Sequence, residues 1–297
     1  MKLLTGFLMA WGNFCSLPCP VKRWDDNCKS LMLGFLPTIG LVIGLLWAGI
    51  YVGLVYLSFP FLVVSFILAF LPFSLCGFMH MDGFMDCSDA IMSRRPLEEK
   101  QRILKDTHTG AFAVISAVFM ILGYFAFIST AASMGMDFVN IVIITVLSRS
   151  IAGLEVLLSR SLGTSQYAAL ADSSVSEADE TGETSAADET DMTEETDMTE
   201  EAAETKQKPT AATKKQGIIL LIIQLIIYTA SGFLASTFYP STALVYGAVV
   251  IGTFIAITYA KKQLGGMSGD IAGYGIVWGE FCGVAMLVFC QEEKIWC

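Results

Sequence analysis

Thirteen residues, Gly77-Phe78-Met79-His80-Met81-Asp82-Gly83-Phe84-Met85-Asp86-Cys87-Ser88-Asp89, hold the densest chemistry in the chain. Asp82, Asp86 and Asp89 stand at i, i+4 and i+7, which on a helix puts three carboxylates on one stripe over about two turns. Like charges so close repel unless a cation sits among them. Hard oxygen donors without Cys or His at matching positions favour Mg²⁺, with Mn²⁺ as a substitute, over zinc. A solvated acidic face is the plainer alternative. The opposite face, however, carries Met81, Phe84, Met85 and Ile91, so the segment is amphipathic at the end of an apolar run, where desolvation makes unpaired acids more costly. His80, beside the first acid, could orient a ligand or relay a proton.

Two further segments suit anions. From Ser93 to Gly110, Pro96 followed by Glu98 and Glu99 signals a helix start, with basic residues toward its end. A bias of positive charge toward the cytoplasm explains most of those cations, but Lys105 stands apart, against Asp106 and a turn ended by Gly110. Between Lys261 and Asp270, the residues Gly265, Gly266, Ser268 and Gly269 could present backbone N–H groups to phosphate at a helix start, while Asp270 could cap that helix or bind metal. Arg149 and Glu280 fall inside apolar runs, where charges face a site or each other.

The elements that must position these residues are membrane helices. Of 297 residues, 54% are hydrophobic and 15% charged, and the mean hydropathy is +0.62. A conventional water-soluble enzyme is therefore excluded. A bilayer core needs about 20 apolar residues per helix. Seven runs qualify: Leu31 to Leu57, Phe59 to Met79, Ala111 to Ser133, Phe138 to Leu158, Gly217 to Phe238, Thr242 to Ala260 and Ile271 to Cys290. Fifteen of the 18 Lys and Arg residues then lie in four connections on one side, near Lys22, Arg94, Lys214 and Lys261, and the opposite turns carry none. That asymmetry predicts a multi-pass protein of the cytoplasmic membrane with its chemistry facing inward. The opening stretch, Lys2 to Pro20, has no convincing small-x-small cleavage site and is broken by Pro18 and Pro20, which predicts a retained re-entrant or interfacial segment.

The fold expected is thus all-α, a polytopic bundle of about seven transmembrane helices. It divides into a membrane half over 1–163 bearing the acidic motif, an acidic loop over 164–216, and C-terminal membrane helices with the Gly-rich loop over 217–297. The loop holds 14 of the 28 acids between Asp172 and Glu204 and repeats Thr-Asp-Met-Thr-Glu-Glu, a composition too polar to fold alone. The net charge of −10 belongs to that loop. No basic stripe points to nucleic acid, and eight cysteines without a CxxC pair point to neither structural zinc nor a disulfide scaffold.

In order, His80-Met81-Asp82-Gly83-x-x-Asp86-x-x-Asp89, Leu104-Lys105-Asp106-Thr107-His108-Thr109-Gly110-Ala111-Phe112 and Gly265-Gly266-Met267-Ser268-Gly269-Asp270 resemble the cobalamin synthase family of adenosylcobinamide-GDP ribazoletransferases. The likeness extends from Phe14-Cys15-Ser16-Leu17-Pro18 through Leu36-Pro37-Thr38-Ile39-Gly40 to Glu280. Where the family commonly has Thr-Arg, this chain has Cys15-Ser16, so an anion contact there must come from another residue such as Arg23. The acidic loop is foreign to the family's core. The resemblance implies transfer of α-ribazole, or its 5′-phosphate, onto adenosylcobinamide-GDP with release of GMP. It implies Mg²⁺ on Asp82, Asp86, Asp89 and Asp106, with Asp89 or His80 accepting the hydroxyl proton. Lys105, Arg149 and the loop from Gly265 to Asp270 would hold the substrate. Membrane lipid surrounds such a protein, and assembly into a homo-oligomer stays open. A lipid head-group phosphotransferase is the nearest alternative, though its Asp-Gly-x-x-Ala-Arg motif is absent; a secondary transporter is the next, though no internal repeat is found.

Overall fold

A computed structural model describes residues 1–162, 211–236 and 241–292. The helices are α1 (Lys2–Phe14), α2 (Lys29–Gly34), α3 (Leu36–Tyr56), α4 (Phe61–Leu75), α5 (Met79–Met92), α6 (Leu97–Ile103), α7 (Ala111–Met134), α8 (Phe138–Leu158), α9 (Ala211–Ser236), α10 (Ser241–Leu264) and α11 (Gly269–Glu292). Among the described residues the β-structure is a single bridge between Ser161 and Met267, so the all-α expectation holds. Among the described residues, six helices are long and apolar enough to cross a bilayer, or seven with α4 and α5 taken as one bent span. The bulk of the predicted acidic loop lies outside the described residues. Its last few positions belong to α9, which starts at Ala211 rather than Gly217.

Spans α8 and α11 form the buried heart of the bundle, and their inward residues are Ile144, Leu147, Ala152, Ile276, Val277 and Val284. Lipid cannot drive apolar helices together by hydrophobicity, so close backbone approach and polar ties matter more. Gly40 of α3 supplies such an approach, since a side chain there would meet the Thr145 backbone, and Thr145 Oγ1 donates to the Gly40 carbonyl at 2.8 Å. Trp47 Nε1 donates to the Leu68 carbonyl at 2.9 Å, fixing α3 on α4. Gln224 of α9 bridges Thr38 Oγ1 and the Gly34 carbonyl.

Two departures from regular spans shape the site. The N-terminal segment enters as α1, turns after Phe14, and is tied at the turn by the Ser16 amide donating to the Leu75 carbonyl at 2.8 Å. It then returns past Leu17, whose carbonyl accepts from Trp11 Nε1. The chain thus reverses direction before Pro18 and Pro20. The second predicted span is shorter than the sequence suggests: α4 stops at Leu75 and α5 leaves at 85° to it. With 14 residues and a rise of about 1.5 Å each, α5 is too short to cross, and we place it outside the spans.

Candidate active site

Helix α5 starts from a turn in which Gly77 and Phe78 both have φ of 61°. It then packs on the first turns of α11. Gly83 permits that packing, because a Cβ there would lie 2.8 Å from both the Asp270 Cα and its carbonyl oxygen. A side chain at Gly273 would likewise meet the His80 backbone. The apolar face is buried as its periodicity predicts: Met81, Phe84 and Ile91 are inside, and Phe84 stacks on Tyr274 with ring centroids 5.5 Å apart. The acidic face therefore turns to the mouth of the bundle, where Asp82 is exposed and Asp86 and Asp89 are half-buried.

Asp86 records how close the acids stand. Desolvation first, then the charges of Asp82, Asp270 and Asp89, push its carboxyl up to about 6. The structure thus brings Asp270 into the aspartate group, and the sequence signal for this was Gly83, a helical glycine marking a close backbone neighbour. Asp89 faces the start of α7, where its Oδ1 accepts from the Ala113 amide at 3.4 Å and a Cβ at Gly110 would strike the carboxylate. An anion at a helix N-terminus is favourably placed.

Other predicted site residues lie apart from this group. Asp106 closes its own turn: Oδ1 accepts from the His108 amide at 3.0 Å and faces His108 Nδ1 at 2.7 Å. These bonds hold its carboxyl below the usual range, and no other carboxylate contributes. Asp106 and Lys105 are exposed and line a cavity of about 450 Å³ with Glu98, Gln101 and Arg102, a lining that includes none of Asp82, Asp86, Asp89 and Asp270. His80 is buried, and desolvation, followed by the Arg149 charge, holds its imidazole well below the ordinary range. Arg149 does not line the mouth; it is fully buried and paired with Glu280.

The Gly-rich loop has structural tasks. Gly265 takes φ of 85°, and at Gly266 a side chain would press on Leu162. The Met267 amide donates to the Arg160 carbonyl, and the Leu162 amide returns a bond to Met267. Ser268 Oγ accepts from the Ile271 amide at 3.3 Å, capping α11, and Gly269 opens that helix. Helix α6 clamps the end of α10 just before that loop, with Lys100 Nζ donating to Gln263 and Gln101 Nε2 to the Leu264 carbonyl.

For a divalent cation, the donor chemistry of Asp82, Asp86 and Asp270 is suitable, and the Asp86 carboxyl is raised by desolvation and then by three like charges that no nearby cation offsets. Among the described residues, no three His, Cys, Asp or Glu side chains form a ready-made ligand set. Mg²⁺ commonly takes one or two carboxylates and draws its other oxygens from phosphate and water, so the partial set fits that ion and not zinc.

The family model described as cobalamin-5-phosphate synthase matches residues 6–182 and 194–289. A Clostridium perfringens protein named adenosylcobinamide-GDP ribazoletransferase is 32% identical over 94% of this chain and 95% of its own. Proteins of the same name from Clostridium botulinum and Lachnoclostridium phytofermentans are each 27% identical, over 95% and 97% of this chain and 96% and 95% of their own. No solved structure matches.

Proposed function

The chain belongs to the cobalamin-5-phosphate synthase family, and from that premise we propose that it is a membrane-embedded adenosylcobinamide-GDP ribazoletransferase. Its substrates are adenosylcobinamide-GDP and α-ribazole or its 5′-phosphate, and its products are adenosylcobalamin or its 5′-phosphate and GMP. The observation that carries this reading is the gathering of Asp82, Asp86, Asp89 and Asp270 at one mouth of the bundle, on the segments that the family match spans.

In the reaction a ribose hydroxyl oxygen bonds to the phosphorus next to the cobinamide moiety. The bond from that phosphorus to the GMP oxygen breaks, and the hydroxyl proton leaves. Asp82 and Asp86, with Asp270 beside them, would hold Mg²⁺ or Mn²⁺, which supplies charge neutralisation for a diphosphate. Asp89 is the better placed proton acceptor, being half-buried and fixed against α7, whereas His80 is buried and held neutral. Lys105 and Arg102, which line the cavity with Asp106, would present cations to the phosphates. The bonds of Asp106 to His108 give it the task of shaping that cavity.

The cluster of Lys and Arg on the same side as α5 supports a cytoplasm-facing site in a prokaryotic cytoplasmic membrane. Purified protein in lipid nanodiscs, given adenosylcobinamide-GDP, radiolabelled α-ribazole and Mg²⁺, is expected to release GMP in step with label entering the corrinoid. Label incorporation without GMP, or neither product, would overturn the reading.

A further inference from the structure

Among the described residues, a fully buried ion pair stands outside the proposed chemistry. Arg149 and Glu280 sit near the midpoints of α8 and α11, both almost completely inaccessible. Arg149 Nη1 donates to Glu280 Oε1 and to the Thr145 carbonyl, and Nη2 donates to Cys76 Sγ at 3.0 Å. Apolar residues would join two helices in this setting at least as well as buried ions. What a guanidinium adds is a second directed bond, and here it points to the residue that ends α4.

Immediately after Cys76 come Gly77 and Phe78, both left-handed, and then α5. Phe78 is not glycine, and a β-carbon in that conformation is strained unless its surroundings hold it there. They do: the Phe78 amide donates to the Phe73 carbonyl at 2.9 Å, the Ser16 amide grips the Leu75 carbonyl, and Arg149 grips Cys76. All three contacts converge on the break from which the aspartate helix is aimed.

We infer that Arg149 is a positioning residue: bridging Glu280 to Cys76, it locks the break between α4 and α5 and so fixes where Asp82, Asp86 and Asp89 stand. The inference rests on α5 being the active helix. Three variants test it in the full chain in detergent, by hydrogen exchange over Met79–Met92 and by steady-state kinetics. Cys76→Ala leaves the ion pair but removes the acceptor on α4; Cys76→Ser keeps an acceptor; Arg149→Lys cannot fork between Glu280 and Cys76. Expected for Cys76→Ala and Arg149→Lys is about tenfold faster exchange across 79–92 with α3 unchanged. The kcat for GMP release should fall about tenfold at constant KM, since misplacement costs rate rather than binding. Cys76→Ser should stay within about twofold of the parent in both readouts. Unchanged exchange over 79–92, equal loosening of α3, or failure of Cys76→Ser to restore the parent values would overturn the clamp. Exchange is measured without substrate, so absence of GMP release in the parent protein would sink the functional reading alone.

Discussion

Two charged regions of this bundle obey opposite rules. At mid-bundle, Arg149 and Glu280 are inaccessible and neutralise one another, with Cys76, Ser148 and the Thr145 carbonyl taking further bonds. At the mouth, desolvation first and then the like charges of Asp82, Asp270 and Asp89, which no cation offsets, drive the Asp86 carboxyl to about 6. Balanced charge in an apolar setting fastens helices, while unbalanced charge at an opening waits for something cationic from outside.

The sharpest way to break that contrast is to neutralise the mouth. Asp82→Asn or Asp86→Asn should cut kcat/KM for GMP release by about 10²- to 10³-fold, while the thermal midpoint without metal holds or rises, because a repulsion has been removed. A fall in both would make the acids structural. Neutralising the interior should do the reverse. Arg149→Met strands a buried carboxylate and should cost about 3–5 kcal/mol of stability, and Arg149→Met with Glu280→Met should recover much of that loss in the thermal midpoint. Next in size is Gly83→Val, whose side chain must push α5 off Asp270 at a cost of about 1–3 kcal/mol; activity should fall with KM little altered.

The smallest effect is on pH dependence. The Asp86 carboxyl titrates higher in the fold than the usual 3.8, so its ionisation disfavours the folded state. That penalty is absent below the unfolded value, grows as pH rises through about 6 and is complete above it. Without metal, the thermal midpoint should therefore rise as pH is lowered from about 7 to about 5, and Asp86→Asn should flatten that slope. Mn²⁺ affinity, followed by electron paramagnetic resonance, should weaken over the same interval as protons compete.

Much of this was legible in the chain. The apolar spans as a set, the one-sided placement of Lys and Arg, the aspartate stripe and the need for Arg149 and Glu280 to find partners all follow from residue type and spacing. Other features were hidden for definite reasons. The apolar run continues through Cys76 to Met79, so hydropathy gives no sign that α4 stops at Leu75. Asp106 matched a motif, yet its bonds to His108 two residues on are a local turn that spacing cannot distinguish from metal ligation. Glycines at 265 and 266 look alike whether they serve phosphate or let Leu162 and α6 approach; the close approach is what the packing shows. Asp270 reaches the acids only because Gly83 lets two helices touch, a contact between distant parts of the chain.

The claim at the centre is that the unbalanced acids of α5 carry the transfer. Its most direct test is GMP release by the nanodisc-embedded parent and by the variant with both Asp82→Asn and Asp86→Asn, each titrated with Mg²⁺. The account predicts saturable, Mg²⁺-dependent release in the parent and almost none in a variant that remains folded. Release by the variant at the parent's rate would contradict it.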